Sequence, residues 1–354
     1  MMKKMKKFFA MALSCVMLAS LTACGGGQST DGQEKVVLNV YNWGDYIDPE
    51  ILDEFTKETG IQVNYEEYAT NEEMLAKIQA GTDAYDVIFP SEYMVAYMRE
   101  HNLLQELNYE NIPNQSHLDD RFKNLSYDPN GKYSVPYLWG SLGILYNKTK
   151  VTEPVDSWNI LWNEKYKGDI VMLDSSRDTI AVALLKLGYS INTQNEEELQ
   201  KAKEELIKQK PLVRSYEVDN YKNSMASGEL AMVVTWAGDA MNLMAENEDL
   251  EYALPKEGTN LWFDAIAIPV TSKHKTEAEQ FINFMLKPEI AAKNSAYIKY
   301  STTNKDALEL LPEEEVTNPN MYPTQPLSEL GEVFVDLGEF TEKYDTIWTE
   351  IKSY

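Results

Sequence analysis

Residues 36–43 read VVLNVYNW, residues 48–60 DPEILDEFTKETG, residues 61–65 IQVNY and residues 85–91 YDVIFPS. The first and third stretches are rich in β-branched and aromatic residues and read as buried strands. Between them, Asp48 followed by Pro49 supplies a helix N-cap with proline at the first helical position. Ile51, Leu52 and Phe55 share one helical face, and Gly60 ends the helix. Thr70 and Glu73 hold the spacing of a capping box for a helix running to Gln79. Residues 85–89 read as a third strand, stopped by Pro90, and Ser91 starts a helix through Glu100. This βαβαβα order predicts an open α/β sheet with helices on both faces. Such sheets take ligands beyond the carboxyl ends of their strands, here Trp43-Gly44-Asp45-Tyr46 and Pro90-Ser91-Glu92-Tyr93.

A second α/β unit follows. Residues 168–174 (GDIVMLD) read as a strand, and residues 176–187 as a helix with Ile180, Ala183, Leu184 and Leu187 on one face. Residues 196–208 form a charged amphipathic helix whose charges read as a solvated face. Residues 231–236 are an apolar strand ending in Trp236, and residues 262–269 another strand. A helix is expected at 277–286, and Pro288 opens a further one through Ile298. From 327 to 351, Leu330, Phe334, Leu337, Tyr344, Ile347 and Ile351 recur at helical spacing and read as core packing.

The chain has 354 residues, 44% of them hydrophobic and 25% charged, a globular composition long enough for two domains. Its 32 Lys and Arg against 57 Asp and Glu give a formal charge of −25. A nucleic-acid partner needs a basic face, and the only lysine-rich run is Lys3, Lys4, Lys6 and Lys7. That run precedes an apolar stretch, residues 8–19, too short to span a bilayer comfortably. Leu21-Thr22-Ala23-Cys24 then resembles a bacterial lipobox, with Cys24 as the residue that is lipidated and becomes the new N-terminus. Removing the signal peptide, residues 1–23, leaves one cysteine and no internal disulfide, and moves the formal charge to about −29. Residues 24–35 read as a flexible tether that holds a soluble domain on the outer face of the cytoplasmic membrane. No other apolar stretch is long enough to span a membrane, so the chain is not itself a channel.

Little points to catalysis. His101, His117 and His274 are the only histidines, and none has metal-ligand spacing. No G-x-S-x-G, P-loop or dinucleotide fingerprint occurs. No enzyme, metal or cofactor is expected, although hydrolysis by carboxylates alone stays open. The predicted strand ends instead combine aromatics with acids: Trp43 with Asp45 and Tyr46, then Tyr93, Trp236, and Trp262 with Asp264. Aromatic faces attract ammonium groups and cover methylene chains. A carboxylate between such walls would pair with an amine in low dielectric, which describes an extended aliphatic polycation. Sugars also stack on tryptophan, so the aromatics alone do not decide. The acids favour the cation, because a neutral sugar needs no charge partner.

Several long motifs carry a family resemblance: Tyr41-Asn42-Trp43-Gly44-Asp45-Tyr46-Ile47, Phe55-Thr56-Lys57-Glu58-Thr59-Gly60-Ile61, Tyr85-Asp86 through Pro90-Ser91, Leu185-Lys186-Leu187-Gly188-Tyr189-Ser190, and Pro255-Lys256-Glu257-Gly258 to Trp262-Phe263-Asp264. From about Val36 to Tyr354 the chain resembles the spermidine/putrescine periplasmic binding proteins of bacterial ABC importers, in a lipoprotein form. The resemblance implies a two-lobed periplasmic-binding-protein fold of type II, each lobe a central sheet flanked by helices, with the ligand cleft at the hinge. Lobe 1 would comprise residues 36–139 and 263–309, and lobe 2 residues 140–262 and 310–354. It implies that spermidine or putrescine is captured and delivered to a membrane permease and its ATPase. Carried over position by position, the family's ligand contacts fall on Trp43, Asp45, Tyr46, Ser91, Tyr93, Asp178, Trp236, Trp262, Asp264 and Tyr300. Two positions depart from the family: Ser175 stands where the first acid of a D-x-x-E pair is usual, and Phe334 where some members have glutamine. The choice between the two polyamines turns on them. The competing readings are a binding protein of the same fold for a cationic amino acid, a sugar or ferric ion, an exported hydrolase, and a polyamine sensor. A monomer is expected.

Overall fold

The structure, a computed structural model, describes residues 36–81 and 85–354. The expected signal peptide, Cys24 and the whole tether lie outside the described residues. The chain begins with the expected alternation: β1 (Val37–Trp43), α1 (Pro49–Thr59), β2 (Gln62–Tyr68), α2 (Asn71–Ala80), β3 (Val87–Ile88) and α3 (Glu92–Glu100). Asp48 caps α1 by accepting the Glu50 N–H, and Gly60 closes it at φ 78°, a left-handed turn that glycine adopts without steric cost. Thr70 accepts the Glu73 N–H, and the Glu73 carboxylate reaches back to the Ala69 N–H at 3.1 Å. The expected box therefore forms with its return bond one residue earlier than usual. β3 is shorter than expected. The Phe89 carbonyl is already taken by Trp43 Nε1 and the Tyr68 hydroxyl, so the ladder cannot use it.

The chain continues through β4 (Ser134–Asn147), β5 (Ile170–Leu173), α4 (Ser176–Lys186), α5 (Glu196–Gln209), β6 (Val213–Glu217), α6 (Tyr221–Ala226), β7 (Met232–Trp236), α7 (Ala237–Glu246) and β8 (Leu250–Ala253). Then come β9 (Thr259–Ala267), α8 (Lys275–Met285), α9 (Pro288–Ile298), β10 (Ser301–Thr302), α10 (Glu313–Val316), α11 (Leu327–Leu330), β11 (Gly331–Val333) and α12 (Thr341–Ser353). The main path of the sheet runs β2-β1-β3-β9-β4-β7-β5-β6, with β8 and β10 on β4 and β11 on β9. β1 is parallel to β2 and β3, and β5 is parallel to β6 and β7, whereas β9 and β4 run antiparallel between these groups.

β4 belongs to both groups. Ser134–Ser141 pairs with β9, and Leu142–Tyr146 pairs with β7. Side chains alternate across the sheet, as strand geometry dictates. In the first half, Leu38, Val40, Val87, Phe89 and Ile266 face Ile51 and Phe55 of α1 and Phe281 and Ile282 of α8. Tyr41, Ile88, Phe263 and Ala265 face Met74 of α2 and Met94 and Met98 of α3. In the second half, Ile170, Met172 and Val234 share a core with Ala181 and Val182 of α4. Val171 and Val233 share another with Met225 of α6 and Ala240 of α7. Each half thus has cores on both sheet faces, the two-lobed α/β architecture.

Residues 327–351 differ from a continuous helical stripe. They break into α11, β11 and α12, because Gly331–Val333 pairs in parallel with Thr259–Leu261 of β9. The packing expectation holds: Leu330, Phe334, Leu337, Tyr344 and Ile351 are buried.

Candidate ligand-binding site

Asp264 is the centre of the site. It lies within β9 and is almost fully buried. Its Oδ2 accepts the Tyr46 hydroxyl at 2.6 Å, and its Oδ1 accepts the Ser91 hydroxyl at 2.7 Å. A single bridge between Ser91 and Asp264 holds the segment after β3 against β9. Burial pushes the Asp264 carboxyl up to about 6, and the two hydroxyl donors pull against that rise. Tyr46 arrives from the loop after β1. Its ring stands edge-on to Tyr300 at 5.3 Å, and Tyr300 stands edge-on to Trp262 at 5.3 Å. The Trp262 indole N–H is buried without a hydrogen-bond acceptor. Five residues singled out from the sequence thus come together: Tyr46, Ser91, Trp262, Asp264 and Tyr300.

Trp236 ends β7. It is half-buried and packs against both the core that holds Tyr46, Trp262 and Tyr300 and the core of the second lobe. Trp43 ends β1 with its indole donating to the Phe89 carbonyl at 2.8 Å. Trp262 and Asp264 are not strand-end residues as expected. β9 starts three residues earlier, at Thr259, because that segment pairs with β11 and β4, and both residues sit in its middle.

Tyr93 and Asp178 form a second group. The Tyr93 ring lies perpendicular to Phe334 at 6.4 Å, and the Arg177 guanidinium stands over Phe334 at 4.4 Å and Tyr93 at 5.8 Å. Asp178 accepts the Ser175 hydroxyl at 2.7 Å and the Asn260 amide at 3.4 Å, and burial raises its pKa. Ser175, in place of an acid, serves as the N-cap of α4. The adjacent Asp174 turns away to pair with Lys352 at 2.8 Å. Asp45 joins neither group. It sits in the left-handed region at φ 52°, with its carboxylate 90% exposed and 3.9 Å from Lys222 Nζ.

Two neighbours of the site escaped the sequence reading. Asp239 lies in the first turn of α7, three residues after Trp236. Its carboxylate pairs with Lys222 at 3.2 Å and accepts the Tyr221 hydroxyl at 3.3 Å. Burial raises its pKa, and the Lys222 charge opposes the rise. The acid-after-strand pattern that picked out Asp45 would also have found it. Glu92 is buried behind Asp264. It accepts the Phe263 N–H at 2.9 Å with one oxygen, while the other has no partner, and burial pushes its pKa up to about 8. Among the described residues, no group of three or more His, Cys, Asp and Glu is placed to hold a metal, and no helix is long and apolar enough to cross a membrane.

Residues 50–324 match the family model for bacterial extracellular solute-binding proteins. The chain is 36% identical over 339 residues, 95% of its length and 97% of the relative's, to a spermidine/putrescine-binding periplasmic protein of Salmonella typhimurium. It is 35% identical to a putrescine-binding periplasmic protein of Pseudomonas aeruginosa, covering 99% of this chain and all of that one. Its structure is similar to that of a putative spermidine/putrescine ABC transporter protein from Listeria monocytogenes, with a TM-score of 0.87 and 43% identity over 90% of this chain and 99% of that one.

Proposed function

We propose, since the chain belongs to the bacterial extracellular solute-binding proteins, that it captures spermidine or putrescine outside the cytoplasmic membrane and hands it to an ABC permease. It binds its solute and does no covalent chemistry on it. One observation carries the reading. The buried Asp264 carboxylate, beside Tyr46, Tyr300 and Trp262, has two hydroxyl donors but, among the described residues, no ion-pair partner. A carboxylate so placed is completed by a cation whose hydrocarbon part lies against the rings.

The remaining roles follow from position. Trp236 and Trp262 wall the methylene chain, Trp43 and Tyr46 close the first-lobe side, and Ser91 orients Asp264. Tyr93 and Asp178 receive the far end of the ligand, and Asp45 attracts an ammonium at the rim. Lobe boundaries at 36–139 with 263–309, and at 140–262 with 310–354, are supported by two features. β4 changes partners between Ser141 and Leu142, and α12 packs on α4 and α5. Ligand bridging both lobes shifts the population towards the closed form that docks on the permease. The basic start of the chain and Leu21-Thr22-Ala23-Cys24 support export and lipid anchoring at Cys24, with residues 24–35 as the tether of a monomer.

The test is isothermal titration of the purified protein with spermidine and putrescine after unfolding and refolding to strip co-purified ligand. One-to-one binding of either is expected. No heat from either on a folded protein would reject the polyamine reading.

A further inference from the structure

We infer that Lys222 sets which polycation the cleft accepts, because its ammonium already occupies a cation position at the rim. The inference rests on the polyamine reading and names a determinant that the reading leaves open.

Lys222 lies on α6, in the second lobe. Its Nζ stands 2.9 Å from Asp219, 3.2 Å from Asp239 and 3.9 Å from Asp45. These acids come from different places. Asp239 opens α7, and Asp45 belongs to the loop after β1, on the other half of the sheet. Both flank the aromatic cluster. Asp45 precedes Tyr46, which holds Asp264. Asp239 follows Gly238, where an added Cβ would overlap the Tyr300 ring, and its charge acts on the Tyr300 hydroxyl. Tyr300 in turn touches Tyr46 and Trp262. The lysine head therefore stands at the edge of the group that would receive the ligand, on two acids that flank it.

A tethered ammonium competes with a free one at high effective concentration. Asp239 is buried and needs a positive partner, which Lys222 supplies without any loss of translational freedom. A ligand ammonium reaching this end would have to displace Lys222 or accept repulsion from it. Among the described residues Asp264 and Asp178 make no ion pair, and the Arg177 guanidinium acts on Asp178 only through its field, which leaves two carboxylates for the ligand. That count matches a diamine and penalises a third ammonium.

Calorimetry of the wild-type protein and of Lys222→Met with spermidine and putrescine tests this. The spermidine-to-putrescine affinity ratio should rise about tenfold in Lys222→Met and stay at the wild-type value in Lys222→Arg. If Lys222→Met fails to fold, Lys222→Gln, which keeps a polar head on the side of Asp239 without the charge, reads the same ratio. A ratio within about threefold of wild type overturns the inference and leaves the polyamine reading standing. Equal weakening of both ligands also overturns it, since Lys222 would then only clamp the lobes. Wild-type protein that binds neither polyamine overturns the reading and the inference together.

Discussion

In its proposed role, Asp264 trades stability for binding. Its folded pKa of about 6 lies above the ordinary aspartate value of about 3.9, so the folded chain holds this proton more tightly than the unfolded one. The resulting stabilisation is full below about pH 4 and lost as pH rises through about 6. Above that, the ligand-free protein carries a buried charge at a standing cost. Asp264→Asn should therefore stabilise the ligand-free protein by about 3 kcal/mol at pH 8 and by little near pH 4. Polyamine affinity at pH 8 should meanwhile fall at least about a hundredfold. Denaturant titration at the two pH values, with and without ligand, checks both; a variant no more stable than its parent at pH 8 would contradict the argument. In the unaltered protein, affinity should weaken as pH drops below about 6, because protonated Asp264 carries no charge to pair with an ammonium. Of the residues that gather around Asp264, Tyr46, Ser91 and Trp262 were legible because each sits in a long motif, and Tyr300 only through the family resemblance. Lys222 was not. It lies on a six-residue helix amid ordinary polar sequence, and only the fold brings it to Asp45 and Asp239.

At the scale of elements, β4 was the strand that the local pattern hid. Pro136, Gly140 and Gly143 are residue types that ordinarily interrupt a strand, and no element was expected there, yet each has a place in it. Pro136 lies at a register shift against β9. A Cβ at Gly140 would come within 2.6 Å of the Trp262 ring, and one at Gly143 would collide with Tyr252. The glycines let large rings lie on the backbone, so a sequence rule that counts glycine against a strand fails here. The first three strands and α1 to α3 were readable because caps and periodicity agree there. Two elements press backbone directly on site rings: β4 at Gly140 under Trp262, and α7 at Gly238 under Tyr300. Gly140→Ala and Gly238→Ala should each cost about 1–3 kcal/mol of stability and also weaken ligand binding, because the ring is the part that must move. Gly188→Ala is the contrast. Gly188 has φ 76° and open space around its Cβ position, so alanine should cost about 1–2 kcal/mol through backbone strain alone. Thermal melts paired with calorimetry separate the two classes; an affinity loss at Gly188 equal to that at Gly238 would refute the distinction.

Over the whole molecule, the excess of acids acts at a distance. A formal charge of −25 sets up a field that draws a polycation in before any contact forms. Salt screens that field over about 10 Å at 0.1 M. Raising salt from about 0.02 to 0.5 M should slow polyamine association at least about tenfold and change dissociation less. Stopped-flow tryptophan fluorescence would read both rates, and a salt-independent association rate would rule out steering. The family motifs made the two-lobed plan legible, but not the pairing that joins the lobes, since no local pattern links β4 to β9. That pairing also fixes when the protein is able to fold. β3 has β9 beside it, and the first half of β4 pairs with β9 as well. During synthesis from the N-terminus, these strands wait for residues 259–267, a delay on the order of ten seconds or more at ribosomal speeds. On the proposed export route the chain has to thread a translocation channel before it folds. On that route, the late arrival of β9 would keep the first lobe unfinished while the proposed leader engages the channel, so the order of the strands would itself favour translocation.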